Sequence, residues 1–374
     1  MKKLLIVGAF PKDNSKVFGG VVTACRTLKE SAIKDHFDLI LIDSTQISNP
    51  APNFIIRAFL SFFKFYRYLT KLLSTRPDAI ILFTSLGLSV LEKGLMAWMA
   101  RFRRIPILIF PRGGALIDNV KRSRFEYFWV KLAMKGATHI LCQGPAWQRF
   151  STNILGFKND NSPIVFNWAA TQSLLAIGNM RSEPSKNKFP TLLFLGWLEE
   201  DKGIFDLLDA CLSLTEIYKF SIIIAGRGNV EGKVHSFVNA NELNRIVEFV
   251  GWVDGEEKES LLKKADILVL PSWAEGFPNA VIEAMAAKLA VVVSKVGAIP
   301  DLISDNDQAL VIPPKDSKSL ACAIERLITD NEFRVALAER GFLFANENFS
   351  ESKCITRLIS VIDYAIDEAS DKRK

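Results

Sequence analysis

"ADILVLPSWAEGFPNAVIEAMAAKLAVVVSKVG" occupies residues 265–297. It opens on a short apolar run, 265–272, whose continuous hydrophobicity suits a β-strand covered on both faces. A loop of Gly276, Pro278 and Asn279 follows, and then Ala280, Val281, Ala284 and Met285 recur at helical spacing. Pro278 suits the first turn of that helix. A second apolar run, 290–297, closes the segment. Strand, glycine-bearing loop, helix and strand in this order predict a βαβ unit and a parallel sheet.

The same alternation extends in both directions. Residues 2–9, 37–44, 78–85, 106–114 and 139–144 read as strands in the first half of the chain, and 190–197, 220–228 and 247–253 join 265–272 and 290–297 in the second. Helical periodicity lies between them, including an apolar stripe at Ile355, Leu358, Ile359 and Ile362 near the end. Two doubly wound, Rossmann-like α/β domains are therefore expected, since 374 residues exceed what one core usually supports. The polar, Pro-bearing stretch 178–190 reads as the break between halves.

Charge divides the same way. Residues 1–170 hold 24 basic and 10 acidic side chains, a balance of +14, whereas the remainder holds 23 and 31, a balance of −8. The first domain is expected to face something anionic. Residues 53–76 combine Phe, Leu and Ile with Arg57, Lys64, Arg67, Lys71 and Arg76, as a helix lying on an anionic membrane surface would; an interior helix with basic rims is the competing reading. No recognition motif accompanies the charge, so nucleic acid is not an expected partner. Five scattered cysteines without a CxxC pair suit neither a disulfide framework nor a zinc site, and they fit a reducing, cytoplasmic setting. The N-terminal "MKKLLIVGAF" reads as a buried strand rather than a leader, and no run of about 18 apolar residues suggests a membrane span.

The chemistry centres on two carboxylates eight positions apart, Glu275 in the loop and Glu283 in the helix. Between them a helix N-terminus offers backbone N–H groups and a positive dipole end, which suit phosphate. Carboxylates beside such a cradle would repel the phosphate, so they should address hydroxyls on either side of it. A nucleotide-sugar has that layout. The plainer alternative is an acid favouring the helix dipole and an exposed helical glutamate.

This block resembles the E-x7-E region of retaining GT-B glycosyltransferases, specifically glycosyltransferase family 4. The resemblance extends through 194–210, 222–229, 247–303 and 309–330, and more weakly to the glycine-bearing stretch 18–30. It implies two Rossmann-like domains facing a cleft, 1–172 for the acceptor and 173–354 for the donor, with a C-terminal helix, 355–374, returning to the first. It further implies that Glu275 holds sugar hydroxyls, and that Gly276, Phe277, Pro278 and Asn279 bring backbone N–H groups to sugar and diphosphate. Glu283 would take the ribose hydroxyls, Val253 would contact the base, and Lys202 would neutralise the diphosphate. Gly20, Gly196, Gly226 and Arg227 complete the expected donor set.

Two positions depart from the family pattern. Trp197 stands where an arginine is common, with Arg227 a candidate replacement. Arg112 precedes Gly113-Gly114 where a histidine or acid is usual. A guanidinium cannot act as a base, but it can stabilise phosphate or acceptor charge. His36, His139 and His235 fall in no motif and are expected to be structural or at the surface. The helix N-terminus and Lys202 would take the place of a cation at the diphosphate, so the expected reaction uses neither metal nor cofactor. The resemblance thus implies a retaining hexosyl transfer from a UDP- or GDP-sugar to a glycan or lipid-linked acceptor in surface polysaccharide biosynthesis, in the cytoplasm or on the inner membrane face. A nucleotide-sugar epimerase on the same fold, or a binding protein that has lost transfer activity, are the competing readings.

Overall fold

The computed structural model describes residues 1–11, 17, 19–45, 54–181 and 189–372, without the side chains of 54–58 and 115. Residues 182–188 of the polar stretch 178–190, and Phe18 at the head of the 18–30 segment, lie outside the described residues. The chain forms two compact units, Met1–Trp168 with Glu351–Lys374, and Ala169–Ser350. It passes from one to the other before the helix Gln172–Met180 rather than after it.

The first unit carries five parallel strands, β1 (Lys2–Gly8), β2 (Phe37–Asp43), β3 (Ala79–Thr84), β4 (Ile107–Pro111) and β5 (His139–Ile140), in the order β2-β1-β3-β4-β5. Alternate residues feed different cores. Leu5, Val7, Ile80, Leu82, Ile107 and Ile109 join one cluster, while Leu4, Ile6, Ala79, Ile81, Leu108 and Phe110 join the other. This double burial explains why the strands lack polar alternation. The helix Glu351–Asp371 supplies Ile355, Leu358 and Ile362 to the second cluster, and its Asp363 binds Lys2 at 2.9 Å and His36 at 2.8 Å.

The second unit carries β6 (Thr191–Leu195), β7 (Ser221–Ala225), β8 (Val247–Gly251), β9 (Ile267–Leu270), β10 (Ala290–Ser294) and β11 (Leu310–Ile312), all parallel, in the order β11-β10-β9-β6-β7-β8. All ten strands read from the sequence are present. β11, three residues long and at the sheet edge, is additional. The strand order reverses between β6 and β9, the place where doubly wound sheets open a crevice at their carboxyl ends.

Candidate active site

The loops that follow β6 and β9 meet at this reversal. Trp273 N donates to Asp201 O at 2.7 Å, and the Trp273 indole N–H donates to Asp206 at 2.6 Å. Gly203 adopts φ +67°, and a Cβ there would lie 2.1 Å from Pro271 O, so no side chain is tolerated. The β10 loop closes on the other side. Gly297 has φ +58°, a Cβ on it would stand 2.0 Å from Glu275 O, and Ala298 N donates to Gly276 O at 3.2 Å. Backbone contacts from two directions thus fix the course of Glu275 and Gly276.

This places Lys202, in a single 3₁₀ turn at Glu200–Lys202, against Glu275 with Nζ–Oε1 2.8 Å. Ser272 donates its hydroxyl to the same oxygen at 2.8 Å. Both charged side chains are mostly covered, 20% and 11% exposed. Lys202 is therefore not a solvated lysine.

The helix expected after the loop runs Asn279–Ala286. Pro278 caps it from outside instead of occupying its first turn, a one-residue difference at a boundary where the first carbonyls still accept helical bonds. Phe277 stands edge-on to Phe349, ring centres 5.6 Å apart. Glu283 faces inward, 7% exposed, and accepts from Lys258 Nζ at 2.8 Å. The reading of Glu283 as an exposed helical acid does not hold. Each of the two acids therefore carries its own lysine.

The rest of the expected donor set, Gly20 apart, lines the same edge of the sheet. Gly196 and Trp197 follow β6, Gly226 and Arg227 follow β7, and Trp252 and Val253 follow β8. Gly226 is small because a Cβ would fall 1.9 Å from Gly196 O; its lack of a side chain is a packing requirement between adjacent loops. Trp197, at the position where arginine is common, meets Trp252 with ring centres 4.6 Å apart. Arg227 passes over Gly251, and an atom added at Gly251 Cβ would lie 3.6 Å from its Nε.

Gly20 and Arg112 belong to the first unit. Gly20 opens the helix Gly20–Glu30. Arg112 follows β4, and its guanidinium carbon lies 4.5 Å from the Phe110 ring centre, 5.2 Å from Trp168 and 5.5 Å from Phe83. Its three nitrogens are covered and have no hydrogen-bond partner among the described residues. Burial lowers its pKa to about 10, leaving it charged at neutral pH. Of the histidines, His36 is bound to Asp363, His139 is buried beside Asn161, and His235 stacks on Phe249. Among the described residues, no group of three or more His, Cys, Asp or Glu is placed to hold a metal.

Two residues of the cluster escaped the sequence reading. Ser272 stands three positions before Glu275, a spacing at which a hydroxyl can reach a carboxylate, so a signal existed. Lys258 is 25 positions from Glu283 on another helix, Gly255–Lys264, and nothing local announces it.

The structure thus brings a carboxylate–lysine pair to each side of a helix N-terminus, at the switch point of a parallel sheet. Two parallel-sheet α/β units of this kind make the GT-B fold. The comparisons agree. Residues 178–343 match the family model of glycosyl transferases group 1. A glycosyltransferase of Methanocaldococcus jannaschii, MJ1607, is 30% identical over 176 residues, 47% of this chain and 45% of that one. The lipopolysaccharide core biosynthesis glycosyltransferase LpsE of Rhizobium meliloti is 25% identical over 65% of this chain and 71% of its own length. The Anabaena protein HepE, solved with UDP and glucose, superimposes with a TM-score of 0.72 at 16% identity, over 97% of this chain and all of that one. The match to MJ1607 spans less than half of that relative's length. Over residues 178–343 the chain is thus similar to group 1 glycosyl transferases, and its two units share the GT-B fold.

Proposed function

We propose that this protein is a retaining, metal-independent glycosyltransferase of family 4. It moves a hexosyl group from a UDP- or GDP-sugar to a glycan or lipid-linked acceptor in surface polysaccharide biosynthesis. The observation that carries the reading is the pairing of Glu275 with Lys202 and Glu283 with Lys258 around the N-terminus of helix Asn279–Ala286. In the proposed complex Glu275 accepts from sugar hydroxyls and Glu283 from the ribose. Lys202 turns from Glu275 to the diphosphate, while Gly276, Phe277, Pro278 and Asn279 line the path between. Gly196, Gly226, Arg227 and Val253 border the nucleoside, Gly20 serves donor binding, and Arg112 stabilises phosphate or acceptor charge.

In the transfer, the bond from the sugar's anomeric carbon to the phosphate oxygen breaks, and one from that carbon to the acceptor oxygen forms on the same face. The acceptor's proton passes to the departing phosphate oxygen, so no protein base is required. Charge stabilisation by Lys202 and positioning by the two acids then supply the acceleration. The relatives' roles in polysaccharide assembly and the UDP complex of HepE favour this reading. Because such acceptors are presented at membranes, the basic first unit is proposed to make peripheral contact with the inner face of the cell membrane.

A thermal-shift series with UDP, GDP and their sugars tests the site, because a ligand that binds the folded state raises its melting temperature by mass action. A nucleotide-dependent rise that Glu283→Ala abolishes is expected. Transfer that retains anomeric configuration and survives a chelator is expected once an acceptor is supplied. No stabilisation by any nucleotide diphosphate would overturn the assignment.

A further inference from the structure

Three helices of the first unit leave apolar stripes uncovered. Phe54–Thr75 exposes Phe59, Phe62, Phe63 and Tyr66, with Phe62 67% accessible. Leu88–Arg101 and the turn after it expose Leu91, Leu95 and Phe102, the last at 85%. Arg124–Met134 exposes Phe125, Phe128 and Trp129, with Phe125 at 72%. Each set follows helical three- and four-residue spacing, so each forms one continuous face.

The three faces point the same way. Tyr68 and Leu72, Met96 and Ala97, and Val130 and Ala133 all enter one buried cluster, so the opposite sides of these helices share one outward surface. The helices are also tied to one another. Tyr68 donates to Met96 O at 2.9 Å, Trp98 donates to Leu132 O at 2.9 Å, and a Cβ on Gly94 would stand 2.4 Å from that of Ala133. Exposed aromatic side chains in such number are rare on a monomer surface and mark an interaction site.

Charge identifies the occupant. Residues 54–135 hold 15 basic and 4 acidic side chains, a balance of +11, and the helix Phe54–Thr75 has no acid at all. Arg67, Lys71, Arg103, Arg104 and Arg124 are exposed around the aromatic faces. Aromatic and leucine side chains beside lysine and arginine match the boundary between acyl chains and anionic headgroups. No helix among the described residues is long and apolar enough to cross a membrane, so the contact is one of lying on the surface.

We propose that these three helices form one docking face for an anionic lipid bilayer, with the aromatic stripes entering the interface and the basic rim neutralising headgroups. The proposal deepens the membrane contact offered above by naming its surface, and it does not depend on the transfer chemistry. It also makes the first unit's charge excess serve a membrane rather than a soluble anion.

The test is flotation of the full-length chain with vesicles of phosphatidylcholine alone, or with roughly a third phosphatidylglycerol. The wild type is expected to float with the anionic vesicles and to lose binding as salt rises. Phe62→Glu with Phe128→Glu should lower the bound fraction about tenfold, and Arg67→Ala with Lys71→Ala should lower it less and weaken the salt dependence. These positions are exposed, so unaltered melting and unaltered nucleotide stabilisation confirm intact folding. A wild type that stays at the bottom, or a Phe62/Phe128 variant that floats equally well, overturns the proposal. So does a wild-type dimer that the same two glutamates dissociate without any vesicle binding, since the face would then belong to a second copy. Nucleotide stabilisation with no flotation would sink this surface while leaving the donor site standing.

Discussion

The carboxyl ends of the two parallel sheets handle charge in opposite ways. In the second unit two ion pairs flank the switch point at hydrogen-bond distance, Lys202 with Glu275 and Lys258 with Glu283. In the first unit Arg112 stands at the end of β4 with three aromatic rings and no acceptor among the described residues. Paired charges of this kind are exchangeable: a ligand bearing hydroxyls and phosphates can replace each half of a pair without leaving a bare ion. A cation among rings has nothing to exchange, and its charge is tolerated through contact with π faces. The difference lies in how each charge is held in the folded chain, by an opposite charge in the second unit and by ring faces in the first.

The sharpest way to break that comparison is to remove one member of the Glu275 pair. Glu275→Ala and Lys202→Ala are each expected to lower kcat/KM by about 100- to 1000-fold, the scale of losing one preorganised electrostatic contact. The double variant should cost little more than either alone, because the two act as a unit. Steady-state kinetics alongside melting curves decide it, and unchanged turnover in both singles would sink the site. Backbone placement comes next. Gly297→Ala puts a methyl where Glu275 O already lies and demands φ +58° of an L-residue, so a loss of about 3 kcal/mol in stability is expected from chemical denaturation. Weaker nucleotide stabilisation should accompany it.

Much of this contrast could be read before any coordinates. The strands were legible because both faces of each are covered, which leaves unbroken apolar runs such as Ile80–Leu82 and Val291–Val293. β11 was not, since Leu310–Ile312 is too short at a sheet edge to stand out from a loop. The acids were legible through their spacing across a glycine-bearing loop. Lys258 was not, because its contact with Glu283 joins two helices and leaves no local trace. The fate of residues 54–75 was ambiguous for a related reason. Phe59 and Phe62 face outward while Tyr68 and Leu72 face inward, and periodicity alone cannot say which apolar side meets the core.

Lys258 offers the next test. Lys258→Met leaves Glu283 buried without its cation, which is expected to raise donor KM about tenfold with a smaller change in kcat. Lys258→Arg should recover most of the loss. A structural role alone would lower stability without separating KM from kcat, so the kinetic split discriminates between the two.

The smallest effect is expected at Arg112, and its sign is informative. Burial has pulled its folded-state pKa down to about 10. Below pH 10 the folded protein therefore holds a charge that would be more comfortable in the unfolded chain, and this penalty is relieved only as pH rises above about 10. Arg112→Met replaces the buried ion with an apolar side chain of similar length, so it should raise stability at pH 7 by about 1 kcal/mol, or roughly 2–4 °C in Tm. The gap between variant and wild type should narrow as pH rises through 10. A variant that melts several degrees lower at pH 7 would show instead that the three ring contacts outweigh the desolvation, making Arg112 the anchor of Phe83, Phe110 and Trp168. Either result separates stability from catalysis, because transfer assays on the same variant report independently whether the guanidinium reaches an acceptor.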